Sequence, residues 1–206
     1  MAESYDVVIV GGGVTGCATA YFLAASDFDG SIVVVERDPT YANAPSARAA
    51  GGVRQQFSTA ENIRIGMFGA EFVKNIGEYL SVDGDSPVVD FKERGYLILT
   101  TPDALAPMQE NLVLQRRLGA NIVYQSNDEL TARFSWLESA GLAGGFLGLE
   151  NEGWLDPYAL LQAFRRKAKS LGVTVLHDEV TELRCREHRV TEVALKSGAS
   201  LTPGVV

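Results

Sequence analysis

The feature that most constrains this chain is a glycine-rich turn placed between a buried strand and a helix. Residues 5–10 (YDVVIV) are continuously apolar and rich in β-branched side chains, which is typical of a parallel strand buried on both faces. The turn GGGVTG follows at once, and residues 17–26 (CATAYFLAAS) carry apolar side chains at helical spacing. Residues 31–36 (SIVVVE) form a second buried strand. The sequence therefore predicts a βαβ unit of about 30 residues with a right-handed crossover.

The glycines of the turn have the Gly-X-Gly-X-X-Gly spacing that suits a bound diphosphate. Gly11 allows the sharp exit from the strand, Gly13 lets the backbone approach a pyrophosphate, and Gly16 lets the helix pack closely against the strand. Free N–H groups of Val14, Thr15 and Gly16 at the helix N-terminus would stabilise negative charge. We predict a dinucleotide site here; a glycine turn in an α/β domain that binds no nucleotide is the alternative.

An acidic residue stands where a dinucleotide site needs one. Glu36 ends the second strand 20 positions after Gly16, and there a carboxylate can accept hydrogen bonds from both ribose hydroxyls. The same carboxylate would repel a 2′-phosphate, and NADP is therefore disfavoured. FAD and NAD share the adenosine diphosphate half, so the turn alone leaves the choice between them open.

Composition and charge exclude several classes of function. The 206 residues are 46% hydrophobic and carry a formal net charge of −8, as in a folded globular chain. The negative charge argues against a nucleic-acid partner and for a small-molecule ligand. No apolar run reaches the roughly 18 residues of a membrane span, and the early first strand leaves no room for a targeting peptide. Cys17 and Cys185 are far apart and indicate a reducing compartment, so we expect a cytoplasmic location.

The order of the further elements predicts an α/β fold whose parallel sheet is interrupted by an α+β insertion. A capping-box spacing at residues 58–61 (STAE) and an apolar stripe predict one helix running to Leu80. Asp156 and Pro157 mark the start of a later helix, and residues 180–196 alternate as in a hairpin. We accordingly expect the nucleotide-binding domain at residues 1–83, a substrate-domain insertion at residues 84–156, and the return to the first domain at residues 157–206.

Several segments together resemble a known family. YDVVIVGGGVTGCATAYFLA followed by VVVERD is similar to the amino-terminal region of the D-amino-acid oxidase superfamily of FAD-dependent oxidoreductases. SARAAGGVRQQF resembles the loop beneath the flavin in that family, EGWLDPYALLQAFRRKAKSLGV its return to the FAD domain, and DEVTEL its strand beside the adenine. In detail the segments resemble the subgroup of FAD-dependent oxidoreductase domain-containing proteins. The resemblance implies a Rossmann-type FAD/NAD(P)-binding domain with a substrate-domain insertion.

The resemblance also implies a role for individual residues around the nucleotide half of FAD. The turn would hold the pyrophosphate, Glu36 the adenosine ribose, Arg37 would lie along the adenine, and the main chain of Val180 would contact the adenine. The residues implied for this half are Gly11, Gly13, Val14, Thr15, Gly16, Glu36, Arg37 and Val180.

A second group is implied nearer the flavin. Ser46, Ala47 and Arg48 would meet the pyrophosphate or the ribityl chain, and Gly51 and Gly52 would let backbone approach the isoalloxazine. These assignments come from the resemblance alone.

Arg54 and Gln56 are the polar residues expected nearest the flavin face. The resemblance places them toward the substrate, and an arginine there can pair bidentately with a substrate carboxylate. An arginine that braces a loop is the alternative.

Covalent flavin and metal ions are not expected. Some members of the family attach flavin through a histidine or cysteine after the second strand, but neither occurs between Glu36 and Leu80, so the resemblance implies non-covalent FAD. His177 and His188 have no further ligand at metal spacing. Cys17 is expected to be a small packed residue and not a reactive thiol.

The activity implied by the resemblance is oxidation of a carbon–nitrogen bond. An amine of the glycine, sarcosine, dimethylglycine or D-amino-acid class would give hydride to flavin N5 and leave as an imine. Oxygen and a carrier are both open as the electron acceptor. A non-catalytic flavoprotein that serves as an assembly or interaction factor, and an NAD-dependent dehydrogenase, are the alternatives.

The chain ends on LTPGVV, an apolar strand-like segment, where family members continue into a further strand and most of the substrate domain. We therefore expect a C-terminally truncated flavoprotein that binds FAD weakly and has no turnover alone. The catalytic residues are expected in the missing part and are not assigned.

Overall fold

The structure is a computed structural model that describes residues 3–206. The strands, in chain order, are β1 (Glu3–Val10), β2 (Ile32–Glu36), β3 (Gly52–Val53), β4 (Lys92–Glu93), β5 (Tyr96–Thr100), β6 (Ile122–Ser126), β7 (Gly144–Gly148), β8 (Gly153–Trp154), β9 (Thr174–His177), β10 (Val180–Arg186), β11 (Arg189–Leu195) and β12 (Ser200–Val205). The helices are α1 (Val14–Ala24), α2 (Ala60–Lys74), α3 (Ile76–Leu80), α4 (Pro102–Arg117), α5 (Asn127–Arg133) and α6 (Pro157–Ser170), and a 3₁₀ turn spans Pro45–Arg48.

A six-stranded sheet in the order β10-β11-β12-β1-β2-β9 organises the first of two compact units. The pairs β12–β1, β1–β2 and β2–β9 are parallel, and the hairpin β10–β11 continues the sheet in antiparallel fashion through β12. Val8, Val33 and Val35 form the buried core with side chains from β11 and β12. The predicted α/β, Rossmann-type fold is confirmed, because the two apolar segments that flank the glycine turn are adjacent parallel strands.

Side-chain contacts link the helices α1, α3 and α6 of this unit. The ring of Tyr21 on α1 packs against that of Phe164 on α6, with centroids 5.6 Å apart. The Tyr21 hydroxyl also donates to the backbone oxygen of Tyr79 on α3, at 3.4 Å. Lys167 Nζ on α6 donates to Ser81 O just after α3, at 2.8 Å. The polar side chains of α1 and α6 thus extend the helix layer to the short segment that surrounds α3.

The second compact unit comprises Ala50–Asn75 and Asp90–Asp156. Its larger sheet is antiparallel, in the order β5-β7-β6, and α4 packs on it around Leu112, Ile122 and Phe146. A smaller sheet has the order β3-β8-β4. This unit differs in extent from the insertion predicted at residues 84–156, because β3 pairs with β8 and thereby joins residues 50–75 to it.

The single helix predicted to run to Leu80 is wrong. The structure has α2 ending at Lys74 and α3 beginning at Ile76, and Asn75 between them leaves helical geometry with ψ of 26°. The chain passes from the second compact unit to the first at this position, and the apolar periodicity that continues through it does not reveal the change of unit.

The capping box predicted at residues 58–61 is not formed. Thr59 is the N-cap of α2 but makes no side-chain cap hydrogen bond. A capping box does form at α5, where Ser126 Oγ accepts from Glu129 N–H and the Glu129 carboxylate accepts from Ser126 N–H at 2.7 Å. Because α2 begins at Ala60, Thr59 and not Ser58 is the N-cap, and Glu61 stands at the second helical position instead of the third that the motif needs.

Within residues 3–206, no helix combines the length and the apolar character needed to cross a bilayer.

The parallel pairing of β12 with β1 gives a first prediction. Leu201 is buried in the core of the sheet, and the next residue, Thr202, is exposed. Leu201→Ala should lower the free energy of unfolding by about 2–5 kcal/mol, because it leaves a cavity in the core. Thr202→Ala, the control, should change it by less than about 0.5 kcal/mol. Urea unfolding followed by circular dichroism measures both, and equal losses would contradict the observed register.

Candidate functional site

The glycine-rich turn connects the end of β1 to α1 with little space between them. Gly11 has a φ of +96°, a conformation that favours glycine, and its N–H donates to Val35 O of β2 at 2.9 Å. A Cβ atom on Gly16 would overlap the Gly11 carbonyl oxygen. The helix can therefore begin this close to the strand only with glycine at position 16.

The N-terminus of α1 presents backbone donors beside this turn. The first hydrogen bond of the helix runs from Cys17 N–H to Gly13 O, at 2.9 Å, so the N–H groups of Val14, Thr15 and Gly16 have no acceptor within the helix. The Val14 N–H donates instead to Ser46 Oγ, at 3.0 Å. Ser46, which the resemblance assigns to the pyrophosphate, is thus held at the helix N-terminus, where the helix dipole favours an anion.

The carboxylate of Glu36 is fixed by backbone donors. One oxygen accepts from Gly12 N–H at 2.7 Å, and the other accepts from Asp38 N–H at 2.8 Å. Each carboxylate oxygen has a second lone pair, so the group can still accept from hydroxyls. The two contacts tie the end of β2 to the turn and orient the carboxylate.

A cleft of about 370 Å³ lies in the first unit between the turn and the ends of the strands. Five residues predicted at the cofactor line it: Gly11, Gly13, Glu36, Arg37 and Val180. Its position at the carboxyl ends of parallel strands is where open α/β sheets bind ligands. The structure thus brings Gly11 and Gly13 of the turn together with the predicted ribose and adenine residues in one cleft.

Acidic side chains surround one part of this cleft. Asp178 and Glu179 both line it. Hydrogen bonds from Ser197 lower the pKa of Asp178, and the hydrogen bond from Lys196 lowers the pKa of Glu179, so both carboxylates are charged at neutral pH. A further phosphate beside Arg37 would meet this negative charge, which extends the argument from Glu36 against NADP.

Six predicted residues of this unit do not line the cleft: Val14, Thr15, Gly16, Ser46, Ala47 and Arg48. Arg48 donates through Nε to Ala42 O at 3.3 Å and through Nη2 to Asn43 Oδ1 at 2.6 Å, so its side chain braces the loop before the 3₁₀ turn. Ala47 lies within that turn, and its N–H donates to Ala44 O. Their contact with a cofactor stays a prediction.

Cys17 is packed beneath the turn, as expected from the sequence. Its side chain is buried and its thiol donates to Gly12 O at 3.0 Å. Burial raises the pKa of Cys17 to about 11, and the thiol is therefore protonated at neutral pH.

Tyr41 is a residue of this site that the sequence did not reveal. It has a φ of 57° and is 1% exposed, and a Cβ on Gly12 would lie 3.2 Å from its hydroxyl. Burial raises the pKa of Tyr41 to about 12, and its hydroxyl has no hydrogen-bond partner among residues 3–206. It lies in an Ala- and Pro-rich segment, where no local pattern predicts a buried aromatic side chain.

The remaining predicted residues belong to the second unit. Gly51 has a φ of +68°, and its carbonyl oxygen accepts from Leu155 N–H at 3.0 Å. Gly52 pairs with Trp154 in the small sheet. Arg54 and Gln56 follow directly and line a cleft of about 270 Å³ in this unit.

Arg54 is held in that cleft by aromatic rings. Its guanidinium carbon lies 4.9 Å from the ring centre of Phe57 and 5.9 Å from that of Tyr96. Within residues 3–206 no carboxylate forms an ion pair with it. Ile98, Met108 and Phe146 give the same cleft an apolar wall. A charged donor beside an apolar wall suits a small carboxylate that also has a hydrophobic part.

Glu152 is the second residue of the candidate sites that the sequence does not reveal. It is fully buried; one oxygen accepts from Gln55 N–H at 2.7 Å and the other from Gln56 Nε2 at 2.9 Å. Burial raises the pKa of Glu152, and the hydrogen bonds from the two glutamines and the nearby charge of Arg54 oppose that rise. Glu150, two positions earlier, is exposed. Nothing in the segment GLENEGW distinguishes the buried glutamate from the exposed one.

Metal ligands are not gathered anywhere in residues 3–206: no group of three or more His, Cys, Asp and Glu side chains could hold an ion. His177 Nε2 lies 3.2 Å from Arg37 O, and His188 has a φ of 63° at the hairpin turn.

The sheet, the glycine turn and the acidic residue that ends β2 define a Rossmann-type dinucleotide-binding protein. Residues 6–206 match the family described as FAD dependent oxidoreductase (DAO), and the chain belongs to this family. FAD is the cofactor in the family's description, which decides between the FAD and NAD that the turn left open.

Relatives by sequence carry the name FAD-dependent oxidoreductase domain-containing protein 1. The chain is 46% identical over 184 residues to that of Xenopus laevis, covering 87% of this chain and 37% of the relative. It is 45% identical over 183 residues to that of Bos taurus, covering 87% and 38%. The resemblance to this subgroup is confirmed, and the chain spans well under half the length of these curated relatives.

Solved structures share the fold at lower identity. L-proline dehydrogenase from P. horikoshii matches with a TM-score of 0.81 and 24% identity, over 100% of this chain and 52% of that one. Glycine oxidase from Geobacillus kaustophilus matches with a TM-score of 0.76 and 22% identity, over 98% and 54%. At these identities the similarity establishes the fold.

The close approach at Gly16 gives a second prediction. Gly16→Ala should displace the start of α1 and weaken FAD binding on the order of tenfold, since overpacking of this kind costs about 1–3 kcal/mol. Gly69→Ala is the control, because a Cβ there meets no atom within 4 Å and alanine favours the helix. Quenching of flavin fluorescence on titration measures both, and unchanged affinity in Gly16→Ala would contradict the role of the turn.

The two cysteines give a third prediction. Cys17 is buried with a pKa of about 11, whereas Cys185 is exposed. A thiol-reactive disulfide reagent at pH 8 should therefore titrate one thiol per native chain and two in urea, because only the thiolate reacts. Rapid reaction of both thiols in the native chain would show that the packing beneath the turn is wrong.

Proposed function

We propose that the protein is an FAD-dependent oxidoreductase that oxidises the carbon–nitrogen bond of an amino acid or an N-methyl amino acid. The observation that carries the proposal is Arg54, a guanidinium that lines a cleft and forms no ion pair with a carboxylate in residues 3–206. L-proline dehydrogenase and glycine oxidase, which share the fold, are named for amino acids, and both of these amino acids carry a carboxylate.

Features of the first unit support binding of the adenosine diphosphate half of FAD. The N–H groups at the start of α1 would hold the diphosphate together with Ser46, and Glu36 would accept from the ribose hydroxyls. Arg37 and the main chain of Val180 would border the adenine. We propose that FAD is bound without a covalent bond to this chain. Cys17, the cysteine nearest the turn, is a protonated thiol that donates a hydrogen bond to Gly12 O.

Bound FAD would supply the redox chemistry by taking up hydride at flavin N5. The residues of this chain bind and orient. Arg54 would pair with the substrate carboxylate through two parallel N–H donors, which fixes the direction of the amine carbon relative to the carboxylate.

Gln56 lines the same cleft, but its amide nitrogen is not available to a substrate. Its Nε2 donates to Tyr96 O at 2.8 Å and to Glu152 Oε2 at 2.9 Å, so both amide hydrogens are used. The amide oxygen is then the atom of Gln56 that would accept from a substrate amine. Arg54 and Gln56 would thus contact opposite ends of an amino acid.

The proposed partners follow from charge and chemistry. A net charge of −8 favours a small-molecule substrate over a nucleic acid. Oxygen or a redox carrier would remove the electrons. We propose a reducing, cytoplasmic location, supported by Cys17 and Cys185, which are both free cysteines.

Anaerobic reduction tests the proposal. The 206-residue chain and, where the gene extends further, its longer product are loaded with FAD and challenged without oxygen with sarcosine, dimethylglycine, glycine and D-amino acids. We expect one of these to bleach the visible flavin absorbance in the longer product. Bound FAD that no amine bleaches would favour a non-catalytic flavoprotein, and a protein that retains no FAD would overturn the proposal.

The role of Arg54 gives a fourth prediction. Arg54→Met should weaken the apparent affinity for the reducing amino acid about 10- to 100-fold, because a charge-assisted hydrogen-bonded pair contributes about 1.5–3 kcal/mol. Arg133→Met is a matched control, since Arg133 is an exposed arginine of the same unit that also lies over an aromatic ring, that of Phe134. The substrate dependence of flavin reduction measures both, and equal effects would contradict carboxylate binding by Arg54.

A further inference from the structure

A buried carboxylate holds the segment that follows Arg54. Glu152 is 0% exposed and lies just before β8 in the second unit. Its two oxygens accept from the backbone N–H of Gln55 and from the side-chain amide of Gln56, at 2.7 and 2.9 Å. These two glutamines are the residues that directly follow Arg54, so a single side chain grips the segment in two places.

The two hydrogen bonds to Glu152 are hard to replace, because the glutamines that donate them are also buried. Gln55 is 0% and Gln56 is 7% exposed, so neither donor can turn to water if the carboxylate is removed. Hydrogen bonds to an ionised acceptor are about twice as strong as those between neutral groups. Gly148 of β7 leaves the space that the Glu152 carboxylate fills, since a Cβ there would overlap it.

Further hydrogen bonds hold Gln55 and Gln56, and none of them uses the Arg54 guanidinium. Gln55 Nε2 donates to Glu150 O at 2.8 Å, and Gln56 Nε2 donates to Tyr96 O at 2.8 Å. Within residues 3–206 Glu152 forms no ion pair with Arg54, and its two oxygens accept from the two glutamines. The guanidinium is therefore available to another carboxylate.

We propose that Glu152 is a positioning residue, which fixes Gln55 and Gln56 and thereby aims the Arg54 guanidinium into the cleft where it binds a carboxylate. The carboxylate ligand of Arg54 in this inference rests on the proposed function. The hydrogen bonds by which Glu152 fixes Gln55 and Gln56 do not depend on it. Glu152 itself does not contact the reacting atoms.

Hydrogen exchange tests the hold on the segment. Glu152→Gln replaces one acceptor oxygen by a donor, so exchange of the backbone amides at residues 55–56 should become at least tenfold faster in the FAD-loaded protein. Glu152→Asp keeps the charge and should give an intermediate rate. Glu150→Gln changes an exposed carboxylate on the same loop and should leave the rate unchanged. Wild-type protection in Glu152→Gln would overturn the proposal.

Binding of a small carboxylate tests whether the Arg54 guanidinium is oriented into the cleft. Acetate and acetamide are titrated into the same FAD-loaded proteins, and the change in the flavin spectrum is measured. We expect wild type to bind acetate more tightly than acetamide. In Glu152→Gln the ratio of these two affinities should fall at least tenfold, while the affinity for FAD stays within twofold of that of wild type. Glu152→Asp should restore part of the preference.

The outcomes separate the two proposals. If wild type shows no preference for acetate, the carboxylate role of Arg54 fails, and hydrogen exchange alone decides whether Glu152 holds the segment. If wild type prefers acetate and Glu152→Gln keeps that preference despite faster exchange, Glu152 is a structural residue only and the positioning proposal is overturned.

Discussion

The close approach of α1 to the end of β1 is the constraint on which the rest of the first site depends. Gly16 lets the helix begin against the Gly11 carbonyl oxygen, and two side chains then hold the turn. Gly12 N–H donates to the Glu36 carboxylate, while Gly12 O accepts from the Cys17 thiol. The backbone donors at the start of α1 and the acidic end of β2 are therefore arranged before any ligand arrives, which reduces the ordering cost of binding.

The two units of the chain offer opposite chemistry. In the first unit, backbone donors favour an anion at the start of α1, and carboxylates such as Glu36 and Asp178 favour hydroxyls and exclude further phosphate. In the second unit, Arg54 offers a cation beside an apolar wall, on a segment that the buried Glu152 holds. Under the proposed function, a dinucleotide and a small carboxylate would therefore meet different residues.

The sequence predicted the parts of this arrangement that depend on local pattern. Continuous apolar strands, the glycine spacing and Glu36 identify the βαβ unit, because each is visible within about 30 residues. Contacts between distant residues were not visible. Gln55 and Glu152 are 97 positions apart, and before folding Glu152 resembles the exposed Glu150. The break at Asn75 was missed for a similar reason, since a helical stripe continues through the point where the chain changes unit.

The backbone donors at the start of α1 are expected to bind the diphosphate of FAD. Titration of the ¹⁵N-labelled chain with ADP, followed by NMR of the backbone amides, tests it most directly. The amide resonances of Val14, Thr15 and Gly16 should shift and saturate with ADP, and AMP, which lacks the diphosphate, should shift them less. Resonances that stay in place with ADP, or that respond equally to AMP, would contradict the account.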